Sequence, residues 1–565
     1  MRNYRHAVVT FKMVTGYLET RGELMEKGAI VLGIDGASWT LIKRFLEYGE
    51  LRELKYIVKN GTHGNLRSCI PPITLPAWAS MLTGKNPGKI GAIHFVMREE
   101  NSYKFKPVIL INLEKENPLW KILNMFEMYT ALLYIPTIIP NLRYYRGVYI
   151  PGEFVFRDVS PYPHSIEKII SDFGLNEEPP SFNSVNPEQY IKWWTKNTEK
   201  HLKLLLYLLK KYKYDKSPLT LLFYVIYSND HLSHLYWRYI DPSHPEYEEN
   251  KLIEDAFIEY YRTIDKFIGK IVNYIENRDI TLFIVSDHGH GPLIKRINLN
   301  KWLEQNGYLR YKLTGKIKSY LRNIVRRYIL ASAVKFNFLR KISKKLGIHV
   351  KQGNVFIFDT DIIDWKRTLA YFSGYNSINI NLKGREPYGI VDTKMYSILV
   401  RDIMNNLRKL KDPETTNHVI QYIWFRDNIY NGPYINAMPD IIIEYRNESF
   451  YESVYTALDN IILEEVFYKP NNPPVSSAHT YNGIFIAYGA NIAPNKVIHL
   501  SIYDIAPTLL YMYGLPIPSD VDGTVVQRIF KEDFVKKMGN PIFKNPAYFR
   551  RFEIKSKVRD VLFQR

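Results

Sequence analysis

Four short stretches of the chain are continuously apolar: residues 29–34, 219–227, 280–285 and 483–488. Runs of this length, bounded by polar residues, predict strands buried on both faces. Between and after them the apolar positions switch to a helical period, over residues 39–48, 76–82, 187–212, 248–278 and 505–513. Alternation of strands and helices predicts an α/β fold: a mostly parallel sheet with helices on both faces. Three of the strands run into Asp35-Gly36, Asn229-Asp230 and Ser286-Asp287-His288. Ligands of such sheets sit beyond the carboxyl ends of the strands.

The pattern breaks in the middle of the chain. Residues 309–351 hold thirteen Lys or Arg and no Asp or Glu, with Leu321, Ile324, Val325, Tyr328, Ile329 and Ala333 at amphipathic spacing. We expect an inserted cap region over 298–434, within a core made of 28–297 and 435–530. Residues 1–27 are then an N-terminal extension and 531–565 a C-terminal tail. The basic stretch 309–351 is expected to be a helical cap with its polar face in water, with peripheral contact with anionic membrane as the alternative.

Composition narrows the class. The 565 residues are 46% hydrophobic and 24% charged, as in an ordinary globular protein. A single cysteine, Cys69, excludes an internal disulfide. No apolar run reaches 18 residues, and the longest candidate, 131–140, is broken by Pro136. Residues 1–27 lack the apolar core of a signal peptide, so a cytoplasmic location is expected. Met25 is an alternative start to Met1. The net charge of +19 favours anionic partners such as a small phosphorylated substrate. No helix-turn-helix, zinc-finger or RNP-type pattern points to sequence-specific nucleic-acid binding.

The candidate chemistry lies at the strand ends and two further segments. Asp35 precedes Gly36, which permits close backbone approach, although a strand-end Asp is also a common helix cap. Thr74 stands in Pro72-Ile73-Thr74-Leu75-Pro76, and Pro76 suits a first helical turn. Its hydroxyl is either a helix cap or a nucleophile beside a helix N-terminus, where a phosphate is favoured. Asp230 and His234 are spaced i, i+4, one face of a helix. Asp287 and His288 are adjacent, and His479 lies in a loop before the last strand. His and Asp donors of this kind hold divalent ions while leaving a position open for substrate. His231, His290 and His94 lie near these motifs, at best behind the ligands.

Together these segments resemble the alkaline phosphatase superfamily, most closely its type I phosphodiesterase/nucleotide pyrophosphatase branch. The resemblance extends over 78–88, where Trp78-Ala79-Ser80-Met81-Leu82-Thr83-Gly84 leads into Lys85-Asn86-Pro87-Gly88. It also covers Trp237-Arg238-Tyr239-Ile240-Asp241-Pro242, Asp504-Ile505-Ala506-Pro507-Thr508-Leu509, Asn381-Leu382-Lys383-Gly384-Arg385 and Pro439-Asp440. It implies an alkaline-phosphatase-like three-layer α/β/α fold with a mostly parallel sheet and an inserted cap, and two divalent ions, zinc by family habit. Asp35, Thr74, Asp287 and His288 would surround one ion; Asp230, His234 and His479 would hold the other. Thr74 would be the nucleophile and form a phosphothreonine. Lys383 and Arg385 would bind substrate charge. Nucleotide-cleaving relatives carry an Asn in a Gly-Ile-x-x-Asn-like stretch, where this chain has Phe95 at the end of Gly91-Ala92-Ile93-His94-Phe95.

Rival readings differ in chemistry. A sulfatase needs a Cys or Ser converted to an aldehyde hydrate, and neither Thr74 nor the context of Cys69 provides one. A phosphomonoesterase, a phosphomutase or a phospho-group transferase of the same superfamily would use the same residues. A non-catalytic binding protein would be signalled by a lost ligand, and none is lost.

Overall fold

The structure is a computed structural model that describes residues 28–563, apart from 100, 104, 108–112, 137, 153–158, 182–184, 213–218, 315–361, 447–450, 453–464 and 470–474. The expected N-terminal extension and most of the basic stretch 309–351 lie outside the described residues. The chain divides into two compact units. The first comprises the described residues up to Ile90, Ile109–Gly291 and those from His479 onward; the second is Gly91–Val108 with Pro292–Ala478.

The first unit is built on a nine-stranded sheet. Its elements are β1 (Gly28–Ile34), α1 (Trp39–Glu47), α2 (Arg52–Asn60), β2 (Thr62–Arg67), α3 (Thr74–Thr83), β3 (Tyr129–Ile135), β4 (Gly147–Pro151), α4 (Pro187–Lys211), β5 (Leu219–Ile226), α5 (Ser228–Ile240), α6 (Lys251–Ile275), β6 (Ile280–Val285), β7 (Asn482–Gly489), β8 (Lys496–Val497), β9 (Leu500–Ser501) and α7 (Ile505–Met512). The strand order is β8-β2-β7-β6-β1-β5-β3-β4, with β9 beside β2. β6, β1, β5, β3 and β4 are parallel, and β7 runs antiparallel between β6 and β2. The four strands expected from apolar runs are all in this sheet.

Strand side chains alternate between two buried layers. Ile30, Leu32 and Ile34, with Leu222, Tyr224 and Ile226, pack into a core with Phe45 of α1, Ile57 of α2, Trp194 of α4 and Phe257 of α6. On the other face Trp78 of α3 meets Phe223 edge-on at 5.9 Å. Helix starts follow their local sequence. The side chains of Ser38, Asn186 and Asn250 accept hydrogen bonds from Thr40, Gln189 and Ile253 N–H groups, satisfying first-turn donors. Among the described residues no helix is long and apolar enough to cross a membrane.

The second unit carries a four-stranded sheet in the order Ala370–Gly374, Ser377–Ile380, Ile441–Tyr445, Ile420–Phe425. It is wider than the expected cap of 298–434. Ile441–Tyr445 pairs antiparallel with both Ser377–Ile380 and Ile420–Phe425. Residues 91–108 join it too, with the Tyr103 ring stacked on Trp365 at 3.5 Å. Apolar patterning marks a strand but not the sheet that it joins. The expected tail also holds structure, with helices at Glu532–Met538 and Pro546–Phe563 and buried Phe534 and Phe549.

Candidate active site

β1 lies between β5 and β6 with Ile34 opposite Ile226 and Gly33 opposite Val285. The chain therefore delivers three acidic segments to neighbouring points on one sheet edge. Asp35 follows β1, Asp230 sits in the first turn of α5, and Asp287-His288 follow β6. Asp35 is not a helix cap, because Ser38 caps α1. Its Oδ2 accepts the Trp78 indole N–H at 3.0 Å. That approach depends on Gly33, where a Cβ would lie 2.5 Å from the Trp78 ring.

Thr74 is the first residue of α3, and Ile73 occupies the cap position without a side-chain bond. The Thr74 hydroxyl does not cap the helix. Its Oγ1 lies 3.3 Å from His288 Nε2. His288 Nε2 is in turn 3.3 Å from Asp287 Oδ2 and 3.6 Å from Asp35 Oδ1. Both of those oxygens are buried and have no protein hydrogen-bond partner. His288 Nδ1 faces the Gly289 carbonyl at 3.2 Å, which fixes the proton there and leaves Nε2 with its lone pair.

The other expected group also assembles. On α5 the His234 Nε2 is 3.5 Å from Asp230 Oδ1, and His479 Nε2 is 3.3 Å from the same oxygen and 3.0 Å from His234 Nε2. His479 Nδ1–H donates to Pro72 O at 2.8 Å, again turning Nε2 inward. A fourth imidazole joins them: His290 Nε2 is 2.8 Å from Asp230 Oδ1. Nothing in its immediate context marks His290, but an i, i+2 pair with His288 on an extended segment shares a face, and that spacing was the available signal.

Burial and the neighbouring Asp287 and Asp230 charges push the Asp35 carboxyl well above the usual carboxylate range. Burial, then Asp230, pushes Asp287 up to about 8. Burial alone would raise Asp230 too, but His234, His290 and His479 hold it well below its ordinary value. Burial and His479 depress His288. Three carboxyls and four imidazoles, buried at Asp35, Asp287, His288 and His290 and half-buried at Asp230, His234 and His479, form with their orphaned carboxylate oxygens a donor set that divalent cations neutralise. Donor atoms of Asp35, Asp287 and His288, and of Asp230, His288, His290 and His479, lie within 4.8 Å of one another in each set. The residues fit such ions.

Lys383 and Arg385 belong to the second unit. Arg385 is engaged bidentately by Asp440 at 2.8 and 2.6 Å and also donates to Glu386 and the Ile380 carbonyl, so its guanidinium is spent on the fold. The resemblance to a substrate-binding stretch does not reveal that internal partner. Cys69 is buried, its thiol pushed up to about 12 by burial.

Comparison with known proteins agrees with the resemblance. The type I phosphodiesterase / nucleotide pyrophosphatase family matches residues 29–456. His479 lies beyond that match, and its place in the cluster rests on the geometry. None of the curated proteins searched matches. Among solved structures, murine ectonucleotide pyrophosphatase/phosphodiesterase 5 is similar at 12% identity and TM-score 0.48, covering 89% of this chain and all of that one. The human protein of the same name is similar at 13% identity and TM-score 0.47, covering 90% of this chain and all of that one. The matched span takes in most of the chain and four of the five motif segments, so this chain belongs to the type I phosphodiesterase/nucleotide pyrophosphatase family and is a hydrolase of that type.

Proposed function

We propose that the chain hydrolyses a phosphodiester or pyrophosphate through Thr74 at a site for two divalent ions, zinc in the first instance. One observation carries the reading: Thr74 Oγ1 stands beside His288 Nε2, next to the partnerless Asp35 Oδ1 and Asp287 Oδ2. Asp35, Thr74, Asp287 and His288 would hold one ion; Asp230, His234 and His479 would hold the other. When bound, such ions lower the pKa of a coordinated hydroxyl and stabilise charge on the attacking and leaving oxygens.

Thr74 then attacks phosphorus after losing its hydroxyl proton, and the leaving oxygen departs on the opposite side. Thr74 carries the phosphoryl group until water attacks phosphorus from the vacated side. Two inversions give net retention. Thr74 opens α3, so the helix dipole favours negative phosphoryl oxygens beside its hydroxyl. Asp35 is held by Trp78, and His288 and His479 by backbone carbonyls, so the donors are positioned before substrate arrives. Phe95 stands where nucleotide-cleaving relatives have an amide donor, so the proposal names the phosphodiester and no nucleotide.

The test is initial hydrolysis rates on a nitrophenyl phosphodiester, with the monoester and sulfate ester alongside. Metal-stripped, zinc-restored and Thr74→Ala proteins are compared. Zinc-dependent diester cleavage, reduced at least ~10³-fold in Thr74→Ala, is expected. Hydrolysis that survives Thr74→Ala, or none with zinc bound, refutes the proposal.

A further inference from the structure

The second donor group has one member more than the resemblance supplies. His290 Nε2 lies 2.8 Å from Asp230 Oδ1, while His479 Nε2 and His234 Nε2 lie at 3.3 and 3.5 Å from the same oxygen. His234 and His479 Nε2 atoms are 3.0 Å apart. A tetrahedral ion with bonds of about 2.0–2.1 Å sets its donors roughly 3.3–3.4 Å apart. The observed separations scatter around that edge length.

The rings are arranged to match. Ring centroids of His290 stand 4.6 Å from His234 and 5.2 Å from His479, and His234 and His479 are 5.0 Å apart. His290 meets the other two near right angles, at 86° and 80°. The three rings thus point different edges at one locus instead of stacking. The His290 side chain is wholly buried, 6.0 Å from the Trp237 ring.

The backbone makes room for it. Gly36 has φ +66°, and a Cβ there would lie 2.6 Å from His290 Nε2, 2.5 Å from its Cδ2 and 3.1 Å from Asp230 Oδ1. Gly36 therefore serves two ends, the turn after Asp35 and the space beside the inward nitrogen of His290.

We propose that His290 is a fourth protein ligand, through Nε2, of the ion held by Asp230, His234 and His479. The inference rests on the two-ion reading above. Without the ion, a proton on Nε2 is shared with Asp230; ligation moves it to Nδ1, so the carboxylate and the imidazole both turn lone pairs to the cation. A fourth protein donor fills the position that a three-ligand site leaves to water or substrate. The ion is then retained more firmly, and a substrate oxygen reaches it as a fifth donor.

The full chain is assayed for zinc content and for zinc affinity by chelator competition, as wild type, His290→Ala and His290→Gln. The cobalt(II) form of each is read by its visible absorption, whose intensity reports coordination number. Glutamine keeps an N–H for Asp230 but offers no imidazole. If His290 ligates, both variants weaken one of two zinc sites by more than ~100-fold, beyond the 10–100-fold typical of residues that only orient a ligand. Their cobalt spectra then change together. If His290→Gln binds two zinc ions within about threefold of wild type, with an unchanged cobalt spectrum, His290 only orients Asp230 and the proposal falls. Should His290→Ala not fold, the Gln variant decides alone. Wild type that binds fewer than two ions refutes the two-ion reading itself, a result distinct from two ions bound without help from His290.

Discussion

Each unit buries a cluster of charge, and the two are built on opposite principles. In the second unit the two clustered carboxylates, Asp440 and Glu386, each meet a guanidinium. Asp440 accepts from both Nη atoms of Arg385, from the Tyr396 hydroxyl at 2.6 Å and from the Ile380 N–H at 2.6 Å, with Arg426 at 3.4 Å. Glu386 is paired with Arg98 and Arg385. Burial would raise Asp440, but Arg385 outweighs it and holds the carboxyl below its ordinary value. In the first unit Asp35 and Asp287 each keep an oxygen without a hydrogen-bond partner, and burial acts on both most strongly, followed by the charges of Asp287 and Asp230 on Asp35 and of Asp230 on Asp287. A buried ion cluster that is internally satisfied supports a fold. One left short of positive charge is kept for something that arrives from solvent.

The sharpest way to break this contrast is to remove one carboxylate from each cluster. Asp440→Ala leaves Arg385 buried without its main counter-ion and should destabilise by ~3–5 kcal/mol in denaturant melts, with or without zinc. A loss under about 1 kcal/mol would show that the second cluster is not internally satisfied. Asp287→Asn should do the reverse in metal-free protein at pH 7, stabilising by at least ~1 kcal/mol. Its carboxyl is pushed up to about 8, so the ionised form is disfavoured in the fold, and an amide removes that repulsion. With zinc present the same variant should lose an ion and melt below zinc-loaded wild type, because binding to the folded state alone adds stability. A metal-free Asp287→Asn protein less stable than wild type would mean the first cluster is held by contacts of its own.

A third variant tests burial away from both clusters. His201, on α4, is enclosed with the Tyr134 ring 4.3 Å away, and burial pushes its imidazole down to about 3. A depressed base is neutral in the fold, so its contribution is fully present above the unfolded value near 6.5 and lost as pH falls toward 3. Metal-free wild type should lose up to ~1.4 kcal/mol per pH unit more than His201→Phe across that window. Parallel stability curves for the two proteins would show that His201 is protonated in the fold.

Sequence and structure parted over how far a local pattern reaches. Asp35, Asp230, Asp287 and His288 were legible because a buried parallel strand shows in four to eight apolar residues, and its carboxyl end is where a site sits. The role of Thr74 was open in sequence, since a hydroxyl before a helical Pro serves as cap or nucleophile; Ile73 in the cap position removes the first, and the second is the reading proposed above. Sequence placed His290 at best behind the ligands, and its contacts with Asp230 and Gly36, both distant in sequence, came only with the structure. Arg385 was overvalued because a cation near a motif shows its charge and hides its internal partner Asp440. β2, β3, β4, β8 and β9 were missed. Most residues of β3 lie in the run that was weighed only as a failed membrane span, and β4 is a five-residue strand without a motif.

The order of the donors along the chain has a consequence for biogenesis. One set, Asp35, Thr74, Asp287 and His288, is complete once the ribosome has passed residue 288. The other waits for His479, and the strand that follows it, β7, must still enter between β6 and β2. On the two-ion reading proposed above, a nascent chain holds one complete and one incomplete donor set for nearly two hundred residues of synthesis, and the last imidazole arrives with β7, just ahead of β8 and β9. On that reading the second set waits for His479, so a chain cut short before residue 479 keeps all three carboxylates and one complete donor set and lacks an imidazole of the other.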